Sequence, residues 1–488
     1  MGQSQRAETR AHPGLPFIRP RLNRWVLRVA YAALPLLLRV RLRPWLPAGI
    51  WPVVCDQPDP LVQSFHQFQA GHIRLLLAFR HSQVDDPLVM AYLFSRILPQ
   101  AARRQGIVLQ PPLHTAFMYD RGMTLWAGRW LGWFFSRLGG VPVRRGRQMD
   151  LTALKTIRAY LYQGEFPLTI APEGATNGHS DILSPLEPGT AQLAFWAVED
   201  LHKAGQSQPL LIVPIGLRYL YPKPNWAALH RLLSQLEHDT GLPTVPLTSP
   251  PAPDPAAYYP RLCSLGEHLL TRMTQFYQQF YPAQSQALIT PDDGVPSSDT
   301  FAPRSHREIA DRLAHLLHTA LSIGEDYFGL PSRGSLASRC RRLEEAGWTQ
   351  IYRDDRTPLT SLPAFERGLA DWIATTASLH LRHMRLVESF VAVTDHYVQD
   401  RLCFERLAET ALILFDLVER VKGVTIPRRP QLGQRQAVIT IGQPIDVSQR
   451  WPSYARDRRA AKAAVATLTA DLQQALEALI PGGAATNP

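Results

Sequence analysis

Three largely apolar runs constrain this chain most: residues 73–79 (IRLLLAF), 167–171 (PLTIA) and 210–217 (LLIVPIGL). Runs of this length, bounded by turn residues, read as buried strands. Helical patterns lie between them. Residues 87–98 start beside Asp85 and Asp86, residues 153–162 close at Gly164, and residues 190–204 precede the third run. Weaker strands over 114–119 and 141–145 flank an aromatic helix. Such alternation predicts an α/β fold, a mixed sheet flanked by helices, with loops gathered at one edge where ligands bind.

The pattern changes after residue 221. Residues 242–260 are proline-rich and read as a linker. Helices are expected over 261–281, 305–323, 362–400 and 404–421, and one late strand over 436–444 (QAVITIGQP). A lone strand after a helical block has no local partner, so it belongs in the first sheet and makes the helical region an insertion. The organisation expected is an N-terminal membrane-associating segment (1–43), an α/β domain (44–221), an all-helical insertion (222–430), and a return strand with a C-terminal helix (431–488).

The chain is 45% hydrophobic and 19% charged, enough for a large core and unlike a disordered sequence. Cys55, Cys263, Cys340 and Cys403 lie far apart, which argues against a disulfide framework or a zinc site and fits a reducing compartment. The N-terminus is polar and proline-broken, unlike a secretory signal. A net charge of +11 calls for an anionic partner. No basic helix with a DNA-reading pattern is present, so no nucleic-acid partner is expected. Residues 22–42 are apolar but interrupted by Arg24, Arg28, Pro35 and Arg39. They are too broken to span the ~20 residues of a bilayer crossing, yet suited to lie in its interface as a helical segment. Residues 124–138, with Trp126, Trp130, Trp133, Phe134 and Phe135, form either core or a second interface element. Attachment to the cytoplasmic face of a membrane, peripheral or monotopic, is the expectation.

Chemistry concentrates in a few places. His81 and Asp86 follow the first apolar run in the order His-x4-Asp. A carboxylate on one imidazole nitrogen fixes the tautomer that leaves the other able to take a proton. By itself the spacing is common in turns. Residues 171–179 (APEGATNGH) place Glu173 just past a strand, with Gly174 and Gly178 permitting close backbone approach, or form a plain strand-to-loop turn. Residues 139–147 (GGVPVRRGR) deliver Arg144, Arg145 and Arg147 to a strand end, suited to a phosphate or to a solvated basic turn. Val213-Pro214-Ile215 puts a proline in an apolar strand, implying an edge, a bulge or a binding wall. His380 and His383 lack acidic or cysteine companions and read as ordinary helix surface.

Taken in order, a strand ending in His-x4-Asp, a Gly-rich strand ending in arginine, Pro172-Glu173-Gly174, and Val213-Pro214-Ile215 resemble the four blocks of the glycerolipid acyltransferases, which include the lysophosphatidate acyltransferases. The resemblance covers roughly residues 70–221, with residues 439–445 as a closing strand. It implies His81 as general base, oriented by Asp86, with Asp85 capping the helix. Arg145 would bind phosphate, helped by Arg144 and Arg147. Glu173, Gly174, Thr176 and Asn177 would form the acceptor loop and Pro214 the fourth block, with oxyanion donors near the His81 turn. The implied reaction moves a fatty acyl group from an acyl-CoA or acyl-carrier-protein thioester to a lysophospholipid hydroxyl, without metal or other cofactor. One departure stands out. Ala175-Thr176-Asn177-Gly178 replaces the Thr-Arg that often follows Pro-Glu-Gly in phosphatidate-forming members, which shifts the expected acceptor toward lysolipids bearing a head group. His179 or Arg147 would then take the phosphate. Competing readings are a non-catalytic membrane scaffold working through its helical insertion, a hydrolase or transacylase using the same pair, and a metal hydrolase on Asp85, Asp86 and Glu173. The acyl-chain preference and the oligomeric state are not legible in the sequence.

Overall fold

A computed structural model describes residues 10–40, 49–144, 151–245, 253–285, 306–353, 358–388, 397–424 and 426–480. The chain divides into two compact units, one of residues 17–144, 149–223 and 433–488, the other of residues 1–16, 145–148 and 224–432.

The first unit is built on an eight-stranded, mostly parallel sheet. Its strands are β1 (Ile50–Asp56), β2 (Arg74–Phe79), β3 (Ala116–Asp120), β4 (Gly140–Val143), β5 (Leu168–Ile170), β6 (Leu210–Pro224), β7 (Gly433–Ile441) and β8 (Ile445–Asp446). They lie in the order β1-β7-β6-β2-β5-β3-β4, with β8 antiparallel on β6. Central β2 is parallel to β6 on one side and to β5 on the other. All six of its residues are buried because alternate side chains feed two cores. Leu75, Leu77 and Phe79 pack with Leu61, Phe65, Val89 and Met90 from helices Asp59–Gln69 and Asp86–Tyr92. Leu76 and Ala78 pack with Ile157, Ala194, Val198 and Leu468 from helices Leu151–Gln163, Gly189–Lys203 and Arg458–Glu477. The mixed sheet flanked by helices, expected from the apolar runs, is the fold of this unit.

Several elements differ from the expectation. Strand β1 carries Pro52, whose missing N–H disguises it in the sequence. The helix expected over 87–98 continues as a π-helical turn (Leu93–Ile97) and a helix (Leu98–Arg104). Pro99 cannot donate to the preceding turn, and the wider turn before it relieves the mismatch. Pro214 is at no edge, since β6 runs between β2 and β7. Its carbonyl accepts from Gly442 N–H at 2.9 Å, so the donor it lacks would also face the return strand. That is where β7 ends and β8 has not begun. A Cβ on Gly442 would stand 2.7 Å from Pro214 Cγ, so the proline ring occupies the gap.

The second unit is helical: Trp226–Thr240, Pro255–Phe280, His306–Phe328, Leu336–Ile351, Ala364–Glu388 and Phe404–Val421. The proline-rich stretch is only partly a linker. Pro255–Phe280 starts inside it, with Asp254 accepting from Ala256 N–H at 2.9 Å and proline tolerated in the first turn. Helices Leu336–Ile351 and Ala364–Glu388 approach closely because position 347 is glycine; a Cβ there would meet Leu381 at 2.5 Å. The N-terminal segment expected as one piece is split between units. His12–Pro13 pairs in parallel with Tyr352–Arg353, and Ala11 N–H donates to Asp371 Oδ1 at 2.9 Å. Helix Arg24–Arg39 belongs to the sheet unit. Among the described residues no helix is long and apolar enough to cross a membrane. Residues 389–396, part of the helix expected over 362–400, lie outside the described residues.

Candidate active site

Parallel strands bring their C-terminal ends, and the turns that follow, to one edge of the sheet. After β2 the chain turns through Arg80–Asp85 into helix Asp86–Tyr92. His81 Nδ1 and Asp86 Oδ2 are 3.0 Å apart, and Gln83 N–H donates to the same oxygen at 2.9 Å. Asp86 is fully buried, whereas the His81 side chain keeps 19% of its exposure. With Nδ1–H on the carboxylate, Nε2 is the nitrogen with a lone pair to offer.

The segment after β5 clamps this turn from behind. Glu173 Oε1 accepts from His81 N–H at 2.7 Å, and its Oε2 accepts from Ser184 N–H at 2.9 Å and Asn177 Nδ2 at 3.2 Å. Gly178 N–H donates to Ser82 O at 2.9 Å. Gly174 and Gly178 have φ of 74° and 79°, a left-handed backbone open to glycine at little cost. Arg80, fully buried, donates to the carbonyls of His179, Ser180 and Ile182. Burial pushes the Glu173 carboxyl up, while Arg80 and the two amides pull it back; the net displacement is upward.

Residues 62–218, which contain both segments, match the Acyltransferase family model. This segment is an acyltransferase domain of the glycerolipid acyltransferase family. No curated protein matches the chain. The activity class that goes with the domain is O-acyl transfer to a glycerolipid acceptor.

Within the acyltransferase domain the expected site residues fare differently. His81, Asp86, Glu173, Gly174 and Asn177 come together. Glu173 and Asn177, though, are buried and turned inward. Asn177 donates to Glu173, Ile182 O and Ser184 Oγ, and accepts from His179 N–H at 2.9 Å. These two residues hold the loop to the turn instead of reaching an acceptor. His179 has no exposed surface, which removes it as the phosphate contact. Thr176 remains half-exposed on the loop, and Pro214 is buried in β6. Arg144 leaves the end of β4 half-exposed, three strand positions from β2, or about 14 Å across the sheet at the usual spacing. Arg145 and Arg147 lie outside the described residues. Of the amides near His81, those of His81 and Gln83 are already engaged, so neither is an oxyanion donor.

Asp85 also departs from expectation. It occupies the helix N-cap position without a side-chain capping bond. Instead its Oδ2 accepts from Arg435 Nη2 at 2.6 Å. Asp86 Oδ1, in turn, accepts from Tyr219 OH at 2.7 Å. Both partners follow from strand alternation. Val213, Ile215, Leu217 and Tyr219 on β6 share a core with Ala437, Ile439 and Ile441 on β7, and Arg435 is two residues upstream in that register. Tyr219 and Arg435 were not expected from the sequence. The alternation Arg218-Tyr219-Leu220-Tyr221, continuing an apolar strand, was the signal for the first. His380 and His383 lie on the long helix as expected, but His383 is buried, with Tyr277 OH 2.9 Å from its Nδ1. Among the described residues no cluster of His, Cys, Asp and Glu could hold a metal.

Proposed function

We propose that the acyltransferase domain moves a fatty acyl group from a thioester to the hydroxyl of a lysoglycerophospholipid at a membrane surface, on its cytoplasmic face. The observation that carries this reading is the His81–Asp86 pair, with one nitrogen tied to a buried carboxylate and the ring partly exposed. His81 Nε2 takes the proton of the acceptor hydroxyl as its oxygen attacks the thioester carbonyl. The tetrahedral intermediate collapses, the C–S bond breaks, and the leaving thiolate takes the proton back from His81. The products are an ester and a free thiol, and the base is regenerated. Asp86 holds the tautomer throughout, and Glu173 fixes the His81 backbone. Arg144 is the described cation at the sheet edge suited to the acceptor phosphate, with Arg145 and Arg147 next in the chain. The donor is acyl-CoA or acyl-carrier protein, and no further cofactor enters the scheme.

The membrane surface is supported by one face of the sheet unit. Helix Arg24–Arg39 buries Leu27, Leu34 and Leu38, and Tyr31 OH bonds to Leu113 O and His114. Its other face exposes Trp25, Val29, Leu36 and Val40 among Arg24, Arg28 and Arg39. No acidic residue occurs from Thr9 to Cys55. The aromatic helix Arg129–Arg137 splits in two. Phe135 packs on Tyr119 at 4.9 Å, while Trp130 and Trp133 are exposed. Asn23 N–H donates to Arg137 O at 2.8 Å, joining the two helices. Exposed aromatics among unopposed arginines suit an anionic bilayer interface.

The deciding experiment incubates purified protein with acyl-CoA and acyl-carrier-protein thioesters and a panel of lysolipids, with products identified by mass spectrometry. A diacyl product that depends on His81 supports the reading. Free fatty acid released without an acceptor would make the domain a hydrolase, and no product from any pair would overturn transfer.

A further inference from the structure

We infer that Tyr219 is a positioning residue for the His81–Asp86 base, and that Arg435 protects this arrangement by neutralising Asp85. The inference rests on the acyl-transfer reading above and extends it to two residues outside the four blocks. Asp85 and Asp86 are adjacent in sequence and both fully buried. Two neighbouring carboxylates out of water oppose each other's ionisation, and one of them tends to protonate. The Arg435 guanidinium, 2.6 Å from Asp85 Oδ2, supplies the opposing charge. Asp86 is then left as the anion for His81.

Arg435 also lies over the Tyr219 ring, 5.0 Å from its centroid, and holds the ring in place. From there the Tyr219 hydroxyl reaches Asp86 Oδ1 at 2.7 Å, while Oδ2 serves His81 and Gln83 N–H. Both oxygens are therefore fixed, and the carboxylate cannot rotate away from the imidazole. Burial and the two carboxylates push the Tyr219 phenol far above its ordinary range, so it remains a donor. Among the described residues, Arg80 and Glu173 lie behind the turn and Tyr221 beside Arg435. Arg218, the neighbour of Tyr219 on β6, pairs with Asp181 at 3.4 Å.

A hydrogen bond to the carboxylate favours the less protonated state of the His81–Asp86 pair. Removing it makes the pair hold a proton more tightly, so the acid limb of the rate profile moves to higher pH. Strengthening it does the reverse. The test uses the full-length protein, an acyl-CoA and a lysophospholipid that the mass-spectrometric assay shows to be turned over. The His81 imidazole is followed by NMR with 13C-labelled histidine. Tyr219→Phe is expected to lower kcat about tenfold with both KM values unchanged, and to move the acid limb and the His81 titration upward. Replacing Tyr219 by 3-fluorotyrosine, which keeps the ring and makes a stronger donor, moves the titration downward even if Tyr219→Phe fails to fold. Arg435→Gln loses activity that the double variant Asp85→Asn/Arg435→Gln regains. Unchanged kcat and titration in Tyr219→Phe, or shifts of the same sign in both Tyr219 variants, would overturn the inference. So would a double variant no better than Arg435→Gln. The NMR readout does not depend on turnover. Opposite shifts in the two Tyr219 variants, with a wild-type protein that acylates nothing, would support the positioning while discarding acyl transfer.

Discussion

Each unit of the molecule places a histidine against a charged residue, and the sign of that charge differs. In the sheet unit His81 Nδ1 meets the Asp86 carboxylate. In the helical unit His318 Nδ1 meets the guanidinium of Arg339, which is itself held by the buried Glu325. A carboxylate accepts, so Nδ1 of His81 carries the hydrogen and Nε2 is basic. A guanidinium can only donate, so Nδ1 of His318 is the acceptor and Nε2 carries the hydrogen. Desolvation and then Arg339 hold the His318 imidazole below its ordinary range. Both rings keep exposed surface, so exposure does not distinguish them. The partner on Nδ1 does, suiting one ring to the proposed role of base and making the other a link between helices.

The contrast breaks most visibly in turnover. His81→Ala is expected to cost about 10³-fold in kcat with the circular dichroism unchanged, while His318→Ala leaves kcat unchanged. Equal losses in the two variants would put the chemistry elsewhere. Stability should show the opposite pattern. Arg339→Met leaves Glu325 buried with, among the described residues, the Ser332 hydroxyl as a donor and Arg342, 3.9 Å away, as the opposing charge. A loss of about 3 kcal/mol in chemical denaturation is expected, with kcat per folded molecule unaltered.

Acid sharpens the comparison further, because each unit also buries a neutral histidine against a tyrosine. His114 and His383 are both pushed down to about 4 by burial. Their unfolded values are higher, so the stability they confer is complete above about pH 6.5 and is lost as pH falls toward 4. Each should remove roughly 2 kcal/mol between pH 7 and pH 5. His114→Asn and His383→Asn should each flatten the dependence of Tm on pH over that range, and an unchanged slope would count against the burial argument.

The smallest expected effect concerns the surfaces. The helical unit also exposes Phe365, Leu369, Trp372, Ile373 and Leu379 on one helix, but there arginines mix with Glu366, Asp371 and Glu388. Trp130→Ser with Trp133→Ser should weaken sedimentation with anionic vesicles several-fold, whereas Trp372→Ser should leave it unchanged. Equal effects would mean that apolar exposure, not its pairing with arginine, selects the bilayer.

What the sequence revealed follows the same physics. Strands β2, β5 and the first half of β6 were legible because burial on both faces demands largely apolar runs. The second half of β6 breaks that pattern, because only one of its faces is buried; its signal is instead the alternation Arg218-Tyr219-Leu220-Tyr221. His81 and Asp86 were legible as a spacing, since both lie in one turn. Asp85 was misread as a cap because its cation is 350 residues away, and no local pattern reports such a partner. Glu173 and Asn177 are legible by motif, but their inward direction is not. Only the hydrogen bonds to His81 and Ser184 show that they build the loop instead of facing the acceptor.

The distance between Asp85 and Arg435 also has a consequence in time. At about 5–20 residues per second, the ribosome needs roughly 20–70 s to pass from one to the other. Through that interval the turn carrying the base has its two acids without the guanidinium that separates their roles. The whole helical unit emerges before β7 can enter the sheet, so the turn of the proposed base is among the earliest parts of the chain made and among the last to be finished.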